Sequence, residues 1–364
     1  ALALAPTHAG AHHELGAALY RLERHDEAAA SFSEALRLRP ESLVSRLGLA
    51  QALLGAGKFG AVQKTLKPAL RGGQPHPRAL ALHAIASYEQ CEFAAAIRYL
   101  EKALALEPRD SSTLLDLANT YRDSGNFVKA AEFYERTIEL FPDFAEARYY
   151  YAQGLLARGR FERGWELYEA RWAVHGAPDP HTYPRRLWQG GPLQGKRILI
   201  WPEQGIGDQV MFAGVLPQVE SLGASCAVVA EPRLTGLFAR SFPGARVVAK
   251  GGEAHAATRK EAFDFQVPVA SLGRYRRSKL ADFPQHAGYL RPDPARVAQW
   301  TQRLAGLGGG VKVGISWRGG LPATRERLRS IPLEDWLPVL EVPGASFVSL
   351  QYTDCSAELA ELRE

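Results

Sequence analysis

The chain has 364 residues, 46% of them hydrophobic and 23% charged, a composition ordinary for a soluble globular protein with room for two or three domains. No apolar run approaches the length of a membrane-spanning helix, and the basic residues behind the net charge of +5 are scattered, which argues against a membrane span and against nucleic-acid binding. Cys91, Cys226 and Cys355 lie far apart and the histidines lack ligand spacing, so we expect no disulfide framework, no metal site and a cytoplasmic location.

Prolines in the first half recur on a period of 34 residues. Pro6, Pro40, Pro108 and Pro142 are separated by multiples of that period. Large apolar or aromatic residues share another phase of the same period, and small alanines lie on the same helix face. The large residues are Phe32, Leu66, Leu100 and Tyr134. This pattern predicts stacked units of two helices each.

The turns within and between the units support this interpretation. Gly57 and Gly125 occupy one position, where a left-handed backbone would end the first helix of a unit. Asp110 follows Pro108 and suits the start of the next helix. The chain resembles the tetratricopeptide (TPR) family here, which predicts an α-helical TPR solenoid with a C-terminal capping unit over residues 1–174.

Stacked repeats leave a concave surface of exposed side chains. Such a surface favours capture of a protein or peptide, and a structural spacer is the alternative. Asn119 and Tyr121, on the first helix of the fourth unit, are candidate peptide-binding residues. Ordinary packing would explain both residues equally well.

A proline-rich linker over residues 175–195 precedes alternating strands and helices. The apolar run Arg197–Trp201 predicts a buried parallel strand, and a turn and a helix beginning near Gln209 follow it. Strand, turn and helix together predict a Rossmann-like half over residues 196–300, which we assign to the acceptor side.

The turn after this strand is the most informative segment for chemistry. Glu203, Gln204, Gly205 and Gly207 form a candidate acceptor-site loop, in which the glycines would let the backbone approach a ligand closely. Asp208 is either a helix cap or a general base at the mouth of the sheet. The turn lacks the third glycine of a dinucleotide motif and the lysine of a phosphate loop.

A second Rossmann-like half is predicted to begin within residues 301–364. The segment VKVGISW predicts its first strand, and Ser316 and Arg318 lie at the end of that strand, where ligands bind in open α/β sheets. Arginines follow in a loop that includes Arg329, and a solvated loop is the alternative interpretation of this basic cluster.

Three ordered motifs carry a second resemblance. The segments EQGIGDQVMFAGVLPQV, RSIPLEDWLPVL and SFVSLQ, downstream of TPR units, look like those of bacterial TPR-fused glycosyltransferases, which are similar to heptosyltransferases and, more distantly, to protein O-GlcNAc transferases. The resemblance implies a GT-B fold of two Rossmann-like halves. It also implies a nucleotide-sugar as substrate, with no cofactor and no metal.

The resemblance also implies roles for individual residues. Asp208 occupies the place of the base that activates the acceptor hydroxyl. Arg329, three residues before Pro332, occupies the place of the cation that holds the donor pyrophosphate, with Ser316 and Arg318 as further phosphate ligands.

Only about 50 residues follow Val311, whereas a complete nucleotide-binding half needs on the order of 130–150. The second GT-B half is therefore expected to be incomplete, and the chain as it stands to be inactive as a fragment. Two functions stay open. One is a glycosyltransferase whose TPR array presents a protein acceptor; the other is a non-catalytic TPR protein-interaction scaffold with a degenerate transferase body.

Overall fold

The computed structural model describes residues 7–71, 75–174, 183–203, 205–319 and 329–362. These residues form two compact units. The first contains the chain up to Glu231 together with Gly244–Ala287, and the second contains Pro232–Pro243 together with the chain from Gly288 onward.

In the part of the chain that the structure describes, the first unit opens with five pairs of antiparallel helices. Within a pair the two helices pack on each other, and each pair packs on the next. The helices are α1 (Ala9–Arg21), α2 (His25–Leu38), α3 (Leu43–Gly55), α4 (Phe59–Leu70), α5 (Pro77–Glu89), α6 (Phe93–Leu106), α7 (Ser111–Asp123), α8 (Phe127–Leu140), α9 (Ala145–Ala157) and α10 (Phe161–Tyr168). The predicted helical solenoid is confirmed.

The residues of the 34-residue pattern occupy equivalent positions in these helix pairs. The large residues that share a phase all lie in second helices and are buried between units. Gly57 and Gly125 have φ values of 70° and 85°, so the predicted left-handed turns are confirmed. Asp110 caps α7, because its side chain accepts a hydrogen bond from the Thr113 N–H at 2.7 Å.

Among the described residues, four parallel strands follow the solenoid in the same unit. They are β1 (Arg197–Trp201), β2 (Ser225–Ala230), β3 (Ala245–Ala249) and β4 (Phe265–Pro268), in the order β3-β2-β1-β4. Ile198 of β1 pairs with Cys226 of β2 and with Phe265 of β4. The predicted strand at Arg197–Trp201 is confirmed. Its residues after Arg197 are buried, because strands lie on both sides of it and other parts of the unit cover both faces of the sheet.

Short helices of the same unit follow β1, β3 and β4. They are α11 (Ile206–Ala213), α12 (Leu216–Glu220), α14 (Glu253–Thr258) and α15 (Leu272–Arg276). The helix after β1 begins at Ile206, three residues before the predicted start near Gln209. The turn is tighter than predicted because the Gln209 N–H already donates to the Gly205 carbonyl at 3.1 Å.

The described residues of the second unit contain a two-stranded parallel sheet. Its strands are β5 (Val311–Ile315) and β6 (Ala345–Ser349), and its helices are α13 (Pro232–Ser241), α16 (Pro294–Ala305), α17 (Leu337–Leu340) and α18 (Ser356–Glu361). The described residues thus contain small parallel sheets, and a full GT-B pair of Rossmann halves is not evident in them. None of the helices described is long and apolar enough to cross a membrane.

Asp116 of α7 gives the solenoid a pH dependence. Burial, reinforced by the nearby charge of Asp110, raises the pKa of Asp116 from 3.8 to about 7. A raised carboxyl pKa gives stability that is complete below 3.8 and is lost as the pH rises through about 7, since the folded state must then ionise a buried group.

We therefore expect Asp116→Asn to be more stable than the natural protein at pH 8 and to differ little at pH 4. Urea unfolding at the two pH values measures this. Asp143→Asn, at an exposed carboxylate in the turn before α9, is the control and should leave the free energy of unfolding unchanged at both pH values. Equal pH dependence with and without Asp116 would contradict the prediction.

Candidate functional site

Asp208 lies near the start of α11, directly after the turn that follows β1. Gly205 is the N-cap residue and Asp208 is the third residue of the helix, so Asp208 is not the N-cap. Its side chain is partly exposed, and within the described parts of the chain its carboxylate takes part in no hydrogen bond or ion pair. The carboxylate is thus free to accept a proton.

The sheet order places Asp208 at a topological switch point. The chain leaves β1 toward β2 on one side, while β4 lies on the other side of β1. In open α/β sheets, ligands bind beyond the carboxyl ends of the strands where the strand order reverses in this way. Asp208 follows the carboxyl end of β1 and Val269 follows that of β4, and both line one cavity.

This cavity, the Asp208 cavity, has a volume of about 450 Å³ and lies where the last helix pair of the solenoid meets the sheet. From the solenoid it is lined by Tyr149, Gln153, Leu156, Ala157, Phe161, Trp165 and Tyr168. From the sheet side it is lined by Asp208, Met211, Phe212, Val215, Val269, Gly273, Arg277 and Phe283. Its size is within the usual range of small-ligand sites.

Aromatic contacts join the two sides of the cavity. The rings of Phe161 and Phe283 lie 4.6 Å apart, and those of Trp165 and Phe212 lie 6.1 Å apart. The Trp165 indole N–H donates to the Arg277 carbonyl at 2.8 Å. A Cβ on Gly273 would lie 2.5 Å from the Trp165 ring, so glycine is required for this close packing. The solenoid therefore forms one wall of the site.

The charge of Asp208 affects the pKa of Tyr149, a titratable residue of the solenoid wall. Burial raises the pKa of Tyr149, and the charge of Asp208 adds to the rise, while Gln153 and Arg171 oppose it. The Tyr149 hydroxyl consequently stays protonated at neutral pH and can donate a hydrogen bond into the cavity.

A buried ion pair fixes the turn that leads to Asp208. Arg171, in the 3₁₀ turn after α10, pairs with Glu203, and their side chains are only 4% and 2% exposed. Arg171 Nη2 donates to Glu203 Oε1 at 3.1 Å and to the Ser271 hydroxyl at 2.7 Å. Its Nη1 donates to Glu169 at 2.8 Å, and the Ala270 N–H donates to Glu203 at 3.3 Å. The solenoid end, β1 and β4 thus share one polar network.

The residues of the predicted acceptor-site loop have different environments. The Glu203 carboxylate is bound within the network, where burial raises its pKa and Arg171 opposes that rise. Gly205 and Gly207 are exposed, and a Cβ added at Gly207 would meet no atom within 4 Å, so internal packing does not demand glycine there. Gln204 lies outside the described residues.

The two predicted groove residues both make packing contacts. The Asn119 side chain accepts a hydrogen bond from the Tyr134 hydroxyl at 2.6 Å. Tyr121 is buried, stacks on Phe133 and donates to Glu101 at 2.8 Å. Whether either residue also binds a peptide stays a prediction.

In the second unit, the predicted phosphate ligands lie near the carboxyl end of β5. The Ser316 hydroxyl donates to Gln351 at 3.1 Å. Arg318 pairs with Glu358 at 3.1 Å and donates to the Asp354 carbonyl at 3.0 Å, so its charge is already partnered.

Arg329 differs from these two residues. The Ile331 N–H donates to the Trp317 carbonyl at 2.9 Å, which holds the Arg329 segment beside the end of β5. The Arg329 side chain is exposed, and no ion pair binds it among the residues described. It is therefore available to an anion that approaches this strand end.

The cavity wall and the polar network have no clear signature in the sequence. The aromatic residues of the capping segment are visible there, but nothing local indicates that Trp165 contacts Phe212, or that Arg171 contacts Glu203. The available signal is Arg171, which stands among aromatic residues in the sequence. Such a position suggests burial, and a buried charge needs a partner of opposite charge.

The fold and the site define a TPR-containing protein whose solenoid ends against a small parallel sheet. Family models described as tetratricopeptide repeat match residues 19–85, 88–136 and 115–178. The chain carries TPR repeats, which present a surface for protein interaction.

Among individual proteins, the chain is similar to Protein FlbA of Caulobacter vibrioides. They are 35% identical over 384 residues, which cover 100% of this chain and 64% of FlbA. It is also 27% identical over 164 residues to the human Protein O-mannosyl-transferase TMTC1, covering 42% of this chain and 19% of TMTC1. The chain thus spans less than two thirds of the length of either relative. The structure of TTC0263, a TPR protein of Thermus thermophilus, is 22% identical with a TM-score of 0.41, over 46% of this chain and 92% of TTC0263.

Proposed function

We propose that the protein is a glycosyltransferase that moves a sugar from a nucleotide-sugar to a hydroxyl of a polypeptide held by the TPR array. The observation that carries the proposal is the Asp208 carboxylate, which has no partner among the described residues and lies at a switch point of a parallel sheet, in a cavity walled by the last TPR helix pair. A base, a ligand-binding strand end and a protein-interaction surface thereby meet in one place.

The reaction would require little from the protein beyond positioning and charge. Asp208 would accept the proton of the acceptor hydroxyl as its oxygen bonds to the anomeric carbon of the sugar. The bond between that carbon and the phosphate oxygen would break, and the nucleotide would leave with the electron pair. Arg329 would bind the phosphates of the donor and stabilise the charge on the leaving group.

The similarity to a human protein named as an O-mannosyl-transferase is consistent with transfer to a polypeptide hydroxyl. The second candidate function is a non-catalytic TPR scaffold. It is favoured by the TPR repeats, which account for protein interaction without any catalysis.

Donor binding separates the two candidates. We expect the full-length protein to bind one member of a panel of nucleotide-sugars in calorimetry, and Arg329→Ala to weaken that binding by about 10- to 100-fold, because charge-assisted hydrogen bonds to the phosphates are lost. Arg303→Ala is the control, since Arg303 is an exposed arginine of the same unit that lies over the Trp300 ring.

Transfer is measured by incubating the same panel of nucleotide-sugars with the protein and a lysate of the organism that produces it. Sugar attached to protein supports the proposal. Neither binding nor transfer with any donor would favour the scaffold, and equal weakening by Arg329→Ala and Arg303→Ala would contradict the role of Arg329.

A further inference from the structure

The last of the first helices of the solenoid, α9, lines part of the Asp208 cavity. First helices of successive pairs approach each other closely, α1 with α3, α3 with α5, α5 with α7 and α7 with α9, whereas second helices of successive pairs make fewer contacts. The first helices therefore lie on the inner side of the curve. On α9, Tyr149, Gln153 and Leu156 are spaced to share one face, and this face lines the cavity.

The wall of the cavity is mostly apolar, and Asp208 is the acid among its described lining residues. Leu156, Phe161, Met211 and Phe212 contribute aliphatic and aromatic surface. The Arg277 guanidinium is bound to the Gly214 carbonyl and to Gln218, so it is not free to receive a charged ligand. Met211 is 56% exposed, a large apolar side chain left open beside Asp208 on the same helix.

This combination discriminates between classes of acceptor. A carbohydrate acceptor would bring several hydroxyl groups against a wall with few hydrogen-bond partners, which is unfavourable. A polypeptide hydroxyl with an apolar neighbour needs one proton acceptor and an apolar surface, and the cavity offers both. An acidic neighbour would be repelled by the Asp208 carboxylate.

We infer that the Asp208 cavity is an acceptor subsite that selects a serine or threonine flanked by apolar side chains in an extended peptide. The inference rests on the proposed function, because it gives the acceptor hydroxyl the position beside Asp208. The peptide enters along the concave face of α9, and its apolar side chain contacts Met211 and the aromatic wall.

The experiment uses a synthetic peptide library with a fixed central serine or threonine and variable residues at the two positions on each side. Binding to the immobilised full-length protein is measured by enrichment. We expect leucine, isoleucine, valine, methionine or phenylalanine near the centre to be favoured over aspartate and glutamate by about tenfold or more, from burial of one apolar side chain.

Two variants alter residues at the exposed rim of the cavity, so neither removes packing from the core. Met211→Glu places a second acid in the wall and should abolish the apolar preference. Ala157→Phe adds volume to the rim and should weaken binding of peptides with large apolar neighbours more than those with alanine. Leu22→Glu, at an apolar side chain 66% exposed after α1, is the matched control and should keep the preference.

The outcomes distinguish this inference from the proposed function. A flat library, a preference for charged neighbours, or an apolar preference that survives Met211→Glu would overturn the subsite, whether or not sugar transfer occurs. An apolar preference lost in Met211→Glu and kept in Leu22→Glu supports the subsite, even if no donor is turned over and the transferase proposal fails.

Discussion

Arg171→Met is expected to lower the free energy of unfolding by about 3–5 kcal/mol, because it leaves a buried carboxylate without its partner. The Glu203 side chain is 2% exposed and depends on the Arg171 guanidinium, and Glu169 loses the same partner. Urea unfolding of the full-length protein, followed by tryptophan fluorescence, measures the change. Trp172 and Trp201 lie 5.8 Å apart near the network and should report its loss.

A charged pair on the adjacent helix provides the control. Arg163 and Glu166 on α10 lie 2.7 Å apart with both side chains more than half exposed, so Arg163→Met should change stability by about 1 kcal/mol or less. The double variant Arg171→Met with Glu203→Met should recover part of the loss, since apolar groups can replace a buried pair. Equal effects of Arg171→Met and Arg163→Met would contradict the assigned role of the network.

The repeat architecture could be predicted from the sequence because its determinants are local and periodic. Leu100 and Tyr134 are one period apart, and each must fill the same space between units. Gly57 and Gly125 end helices through their own backbone conformation, which needs no knowledge of distant residues. The strand at Arg197–Trp201 is similarly encoded in one short apolar run.

The candidate site depends instead on contacts between distant segments. The position after β1 predicts an acceptor-loop role for Glu203, but Arg171, 32 residues earlier, binds its carboxylate. The helix position of Asn119 and Tyr121 predicts a groove role, yet Tyr134 and Glu101 bind them. No local pattern specifies such pairs, so the turn at Asp208 could be located from the sequence, whereas the side chains that stay free in it could not.

Asp208→Asn is expected to reduce sugar transfer by roughly two to four orders of magnitude while leaving donor binding unchanged. Asparagine has nearly the shape of aspartate and keeps the local packing of α11, but it cannot accept the proton of the acceptor hydroxyl. Initial rates with a fixed donor and acceptor measure transfer, and calorimetry with the same donor measures binding. Glu253→Gln, at an exposed carboxylate in the first turn of α14, is the control and should retain full activity.

The pattern of losses decides what Asp208 does. A base that acts only in the transition state gives a fall in kcat with little change in the dissociation constant of the donor. A carboxylate that only stabilises the helix start would give a lower melting temperature with nearly normal turnover, and that result would remove Asp208 from the mechanism. Because the carboxylate has no partner among the described residues, its replacement should cost little stability, and the loss of turnover should be observed in a folded protein.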